Sequence, residues 1–221
     1  MTDERHVLVI FPHPDDETFS SAGTIASYIE KGIPVTYACL TLGQMGRNIG
    51  NPPFATRESL PFIRERELEE ACKAIGITDL RKIGLRDKTV EFEPYDQMDQ
   101  MIQSLIDETN PSLIISFYPK FAVHPDHEAT AEAVVRTVGR MHESDRPRLT
   151  LVAFSNDAPE ILGEPDIQND ISQYSDIKLK AFEAHASQTG PFLKQLASPE
   201  IDGQAQSFLK IEPFWTYHFE S

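Results

Sequence analysis

Residues 6–17 read His6-Val7-Leu8-Val9-Ile10-Phe11-Pro12-His13-Pro14-Asp15-Asp16-Glu17. The first six are short, apolar, β-branched and aromatic, and Pro12 stops them, so they form a strand. The polar cluster therefore leaves the carboxyl end of a first strand. It brings an imidazole and three carboxylates, more than a loop needs in order to turn. Some of these groups are expected to hold a metal ion and one to move a proton.

Outward from this strand the chain alternates. A helix is expected over 18–31, closed by Gly32 in a left-handed cap. A strand over 35–40 follows, then a loop over 43–59 rich in Gly, Asn and Pro, long enough to be functional or mobile. Helices are expected over 60–75, 95–109 and 129–141, and strands over 80–85, 113–118 and 149–154. Beyond residue 154 the rhythm weakens, with a helix over 173–187 and a last strand within 208–219. Such alternation specifies an α/β fold, a Rossmann-like, mainly parallel sheet with helices on both faces. With strand order 3-2-1-4-5, the first and fourth strands are neighbours. Their crossovers diverge and open a crevice at their carboxyl ends. No repeat, low-complexity tract or linker divides the chain, so residues 1–221 are expected to form one domain.

His124-Pro125-Asp126-His127 follows the fourth strand and mirrors the first motif, so both face the inferred crevice. A His/Asp/His set suits zinc, bound at about 2.0–2.2 Å with one position left for water. An unbound carboxylate then serves as base, and a remaining imidazole serves the oxyanion or the leaving group. The plain structural reading is a turn in which Asp126 caps a helix or bonds a histidine, and Glu17 favours a helix start through the macrodipole. Two such motifs after two central strands weigh against it. His6, His142, His185 and His218 lie outside the motifs and read as surface or packing residues.

The bulk properties narrow the partners. A formal net charge of −15 disfavours nucleic acid and anionic membranes, both of which need clustered Lys and Arg. Cys39 and Cys72 fall in apolar patterns and are expected to be reduced. The first residues have no secretory pattern, and no run approaches a membrane span. A cytoplasmic protein acting on a small molecule is expected, with a homo-oligomer left open.

The paired motifs, with Thr41-Leu42-Gly43-Gln44-Met45-Gly46, Arg64-x-x-Glu67-x-x-x-Ala71, Arg86-Asp87 and Lys178-x-x-Ala181-x-x-x-His185-x-Ser187-Gln188, resemble the PIG-L/LmbE-type zinc-dependent N-acetylglucosamine deacetylases. The resemblance runs from His6 to about Gln188. It is strongest to the branch that deacetylates N-acetylglucosaminyl-malate in bacillithiol biosynthesis, through chain length and the 46–53 loop. It implies a zinc-dependent amide hydrolase with His13, Asp16 and His127 on the metal, Asp15 as general base and His124 as charged oxyanion partner. It places Arg64 and Asp87 against the substrate. The metal is zinc or another divalent ion such as ferrous iron. Some relatives carry a Tyr where this chain has Ala122, and Tyr118 is a candidate substitute. Arg47 or Arg64 is expected to read a malate aglycone bidentately. Other amides, in N-acetyl sugars or thiol conjugates, are the alternative. A non-haem iron oxygenase built on the same triad is the remote alternative of another class. A Rossmann nucleotide module is disfavoured, because the first βα turn has no Gly-x-Gly-x-x-Gly.

Overall fold

A computed structural model describes residues 4–196 and 207–219. Its helices are α1 (Asp16–Ser20), α2 (Ala22–Glu30), α3 (Leu60–Ile75), α4 (Tyr95–Thr109), α5 (Pro125–Gly139), α6 (Ala158–Leu162), α7 (Ser175–Ala184) and α8 (Ala186–Leu196). Its strands are β1 (Val7–Phe11), β2 (Val35–Thr41), β3 (Asp79–Leu85), β4 (Leu113–Phe117), β5 (Arg148–Val152), β6 (Ile167–Asp170) and β7 (Ile211–Thr216). They form a seven-stranded sheet in the order β3-β2-β1-β4-β5-β7-β6. The first five strands in that row are parallel; β7 runs antiparallel to both β5 and β6.

β1 is buried along its whole length. Its side chains alternate between two apolar layers, as a period of two requires. Val7, Val9 and Phe11 pack with α2, α3 and α7, whereas Leu8 and Ile10 pack with α4 and α5. This two-sided burial explains the unbroken apolar run. β1 lies between β2 and β4, so the expected crevice opens where β1 and β4 end.

Four local differences from the sequence reading have physical causes. The first helix is broken at Ser21, and the freed amides of Gly23 and Thr24 donate to the buried Glu212 carboxylate at 3.0 and 2.7 Å. α5 begins at Pro125 instead of 129, with Pro in the first turn, where its missing N–H costs nothing. The expected 173–187 helix ends at Ala184, and α8 restarts at Ala186. The fold's end is an antiparallel β6–β7 pair, and β6 was not foreseen. Cys39 and Cys72 are both buried and unpaired. Among the described residues no helix is long and apolar enough to cross a membrane.

Candidate metal centre and active site

The two motifs meet at the ends of β1 and β4. His13 is fixed from its own loop, its amide donating to Asp16 Oδ2 at 2.8 Å. His127 lies in the first turn of α5, stacked on the Phe117 ring at 4.1 Å between centroids and 17° between planes. Glu128 accepts the amides of Lys120, Ala122 and Val123 and so holds the preceding loop. His124 is the N-cap of α5, its Nδ1 accepting from the Asp126 amide at 3.2 Å.

Three side chains converge. His13 Nδ1 lies 3.1 Å from His127 Nε2 and 3.5 Å from Asp16 Oδ2. His127 Nε2 lies 3.3 Å from Asp16 Oδ1. Tetrahedral zinc with bonds of about 2.0–2.1 Å spaces its ligand atoms by about 3.3 Å, close to each of these separations, which reach Asp16 through Oδ2 from His13 and through Oδ1 from His127. The far nitrogens are occupied: His13 Nε2 faces Asp126 Oδ2 at 3.1 Å and Asp87 Oδ1 at 3.3 Å, and His127 Nδ1 faces the Ala122 carbonyl at 3.1 Å. Such outer partners set the tautomer that turns the inner nitrogen to a metal. Two sets have one donor atom per residue all within 4.8 Å of one another and could also hold a cation: His13, His124 and His127, and His13, Asp87 and Asp126.

The electrostatics favour positive charge here. Burial opposes charging His13, but the hydrogen bonds its ring donates to the Asp126, Asp16 and Asp87 carboxylates outweigh it and raise its pKa well above the usual value. Burial likewise opposes ionising Asp16, yet the His127 and His13 rings hold its carboxyl far below the usual range. His124 is shifted down, by burial and then by charge on His13 and His127.

Asp15 stands apart from these three side chains. Its backbone is left-handed, φ 104° and ψ −25°. Burial pushes its carboxyl up to about 6, against the pull of the Arg64 guanidinium. Arg64 is buried and donates to Asp15 Oδ2 at 3.0 Å, to the Gly43 carbonyl at 2.9 Å and to the Pro14 carbonyl. Its guanidinium packs against Gly43, where an added Cβ would sit 1.8 Å from Nη1. The glycine at that point is what lets the arginine in.

His13, Asp15, Asp16, Arg64, Asp87, His124 and His127 all line one cleft of about 410 Å³. Arg64 is engaged with Asp15, and Asp87 is buried, accepting from the Met45 amide at 2.6 Å. The rim adds Arg47, Lys88 and Gln188. Tyr118 is not among the lining residues; it packs on Phe121 and Tyr217.

Three residues take roles that the sequence reading left open or missed. Asp126 is fully buried and accepts from the Lys88 and Val90 amides while facing His13, so of the two structural roles expected for it, it bonds a histidine and caps no helix. Glu17 does more than favour a helix start: it is fully buried and bonds Asp15, Thr18, Tyr37 and His185. His185, read as a surface or packing residue, is buried with Nε2 2.7 Å from Glu17 Oε1. Its neighbours gave a signal: Lys178, Ala181 and His185 share one helix face at spacings of three and four. His6 bonds Thr36, while His142 and His218 are exposed.

Mainly parallel sheet, crevice and convergent His and Asp side chains define an α/β fold with a site whose donors could hold a cation. A family model described as "PIG-L: GlcNAc-PI de-N-acetylase" matches residues 8–138. A Bacillus anthracis protein described as probable N-acetyl-alpha-D-glucosaminyl L-malate deacetylase 2 is 50% identical, over 100% of this chain and 98% of its own. A Bacillus subtilis protein of the same description is 47% identical over 98% and 99%. Among solved structures, N,N'-diacetylchitobiose deacetylase from Pyrococcus horikoshii superposes with a TM-score of 0.71 at 25% identity, covering 97% of this chain and 84% of that one. The chain belongs to the PIG-L family, and it is an amide-hydrolysing deacetylase.

Proposed function

We propose that this chain is a single-domain enzyme that removes the acetyl group from N-acetylglucosaminyl-malate, with a divalent cation, zinc by donor set, held by His13, Asp16 and His127. The observation that carries the reading is the approach of His13 Nδ1 to His127 Nε2 at 3.1 Å, with the Asp16 carboxylate bridging them, Oδ2 3.5 Å from the first and Oδ1 3.3 Å from the second, beside the Asp15 carboxylate that takes no part in the cluster. The full-length similarity to the two Bacillus proteins supports the substrate.

Bound there, the cation would supply Lewis acidity towards the amide carbonyl and towards water. Asp15 takes the proton of the attacking water. A carboxylate with a pKa near 6 is ionised at neutral pH and basic enough to share the proton in the transition state. Arg64 keeps that carboxylate charged and aimed. His124 commits Nδ1 to the α5 cap, so its Nε2 carries the proton and serves as a neutral donor to the oxyanion. This replaces the charged role that the resemblance implies, because protonating Nδ1 would break the cap. The amine leaves with the proton that Asp15 received. With Arg64 and Asp87 occupied within the protein, Arg47 and Lys88 on the rim are the cations that read the malate carboxylates.

The test is acetate release from N-acetylglucosaminyl-malate by wild type and Asp15→Asn, with metal measured in both. Asp15→Asn is expected to keep its metal and lose about 10²–10⁴ in turnover. Full activity in Asp15→Asn refutes the base. Acetate released only from other N-acetylglucosaminides refutes the malate assignment.

A further inference from the structure

Asp15 is a non-glycine residue with φ 104°. Such a conformation is strained and persists only where its surroundings over-determine it. Two arms do so. On the side-chain side Arg64 grips the carboxylate. On the backbone side the Asp15 amide donates to Glu17 Oε2 at 3.1 Å, and the Tyr37 hydroxyl donates to the same oxygen at 3.0 Å. The other oxygen, Oε1, meets Thr18 Oγ1 and His185 Nε2, both at 2.7 Å.

His185 is completely buried. Its Nδ1 has no partner, so the ring serves Glu17 alone among the described residues. It sits where α7 breaks into α8. Two residues on, Ser187 donates its amide and hydroxyl to Glu67 at 2.7 and 2.6 Å. Glu67 is one turn beyond Arg64 on α3. Thus α3 holds Asp15 by its carboxylate, and the α7–α8 break, pinned to α3, braces the carboxylate that holds its amide. Buried polar groups of this kind are weak evidence for stability. Their convergence on one strained backbone atom needs another reason.

We propose that Glu17 and His185 are positioning residues, a buried strut that fixes the Asp15 backbone so that its carboxylate faces the cleft. The inference rests on the reading of Asp15 as base. Misplacing a reacting group by about 1 Å costs about 10²-fold in rate. His185→Leu, with its cation content measured, is therefore expected to lose about 10²-fold in kcat, with KM within about two-fold of wild type and one cation per chain retained. His185→Gln, whose amide N–H reaches Glu17, is expected to stay within about ten-fold of wild type. Independently of turnover, hydrogen exchange at the Asp15 amide is expected to quicken at least about ten-fold in His185→Leu, with and without cation. Wild-type kcat or wild-type exchange in His185→Leu overturns the proposal, as does an equal loss in the Gln variant. Glu17→Gln covers the case in which His185→Leu does not fold: the same kcat and exchange responses are expected at about ten-fold, and wild-type values overturn the proposal. Asp15→Asn is measured alongside. Activity in that variant sinks the base, while the exchange data still decide the strut.

Discussion

Removing the Arg64 charge should move the pH dependence of catalysis. Its Nη2 lies 3.0 Å from Asp15 Oδ2. At an effective dielectric of about 20, Coulomb's law gives about 5.5 kcal/mol for unit charges at that distance. Solvent at the open cleft lowers this ceiling, and an opposite charge this close ordinarily moves a carboxylate by about one to three pH units. Burial already pushes the Asp15 carboxyl to about 6 with Arg64 pulling down. The sign follows: Arg64→Leu raises the Asp15 pKa, and the base must be ionised to act. The acid limb of kcat/KM should therefore shift upward by about one to three pH units. Activity at pH 7 should fall by about two-fold to about a hundred-fold and recover at higher pH. The cation contributes to both proteins and cancels in the difference. Arg64→Lys, which keeps a charge near Asp15, should leave the limb close to wild type. The assay is acetate release against pH for the three proteins. Coincident acid limbs for wild type and Arg64→Leu would refute the reasoning, as would an equal shift in Arg64→Lys.

Three further outcomes follow from particular contacts. Gly43→Ala puts a Cβ 1.8 Å from Arg64 Nη1 at a φ of +60°; it should lower kcat/KM by about 10²-fold and lower the melting temperature, and wild-type kinetics would contradict the packing. Arg47→Ala and Lys88→Ala should each lose more kcat/KM on malate-bearing than on malate-free glycosides, by about ten-fold; equal losses on both substrates would remove these cations from aglycone recognition. Lys178 Nζ sits 2.9 Å from Glu212 Oε1 with both side chains 1% exposed. Lys178→Met strands that carboxylate and should cost about 3–5 kcal/mol in urea unfolding, whereas an unchanged midpoint would mean that Glu212 needs no cation.

The site's frame was legible because strands buried on both faces leave long apolar runs, and β1 and β4 each end in a His-Pro-Asp motif. Their adjacency followed once the usual strand order was taken for an alternating chain, and the sheet has that order. The residues that pair across the fold were harder to read. Glu17 and His185 are 168 positions apart, and nothing local marks either as the other's partner. Asp126 read either as a cap or as a histidine's partner, because its spacing fits both; the structure gives the cap to His124 and turns Asp126 to His13. The start of α5 at Pro125 carried a usable sign, a proline suited to a first turn. The β6–β7 pair carried less: β6 is four residues long, and β7 holds Pro213.

The most direct measurement is a crystal structure grown with one equivalent of zinc per chain. The expected result is a single ion bound by His13 Nδ1, His127 Nε2 and an Asp16 oxygen at about 2.0–2.2 Å, with Asp15 unligated beside an open position. An ion held instead between His13 Nε2, Asp87 and Asp126, or by His124 in place of Asp16, or no ion at this crevice, would contradict it.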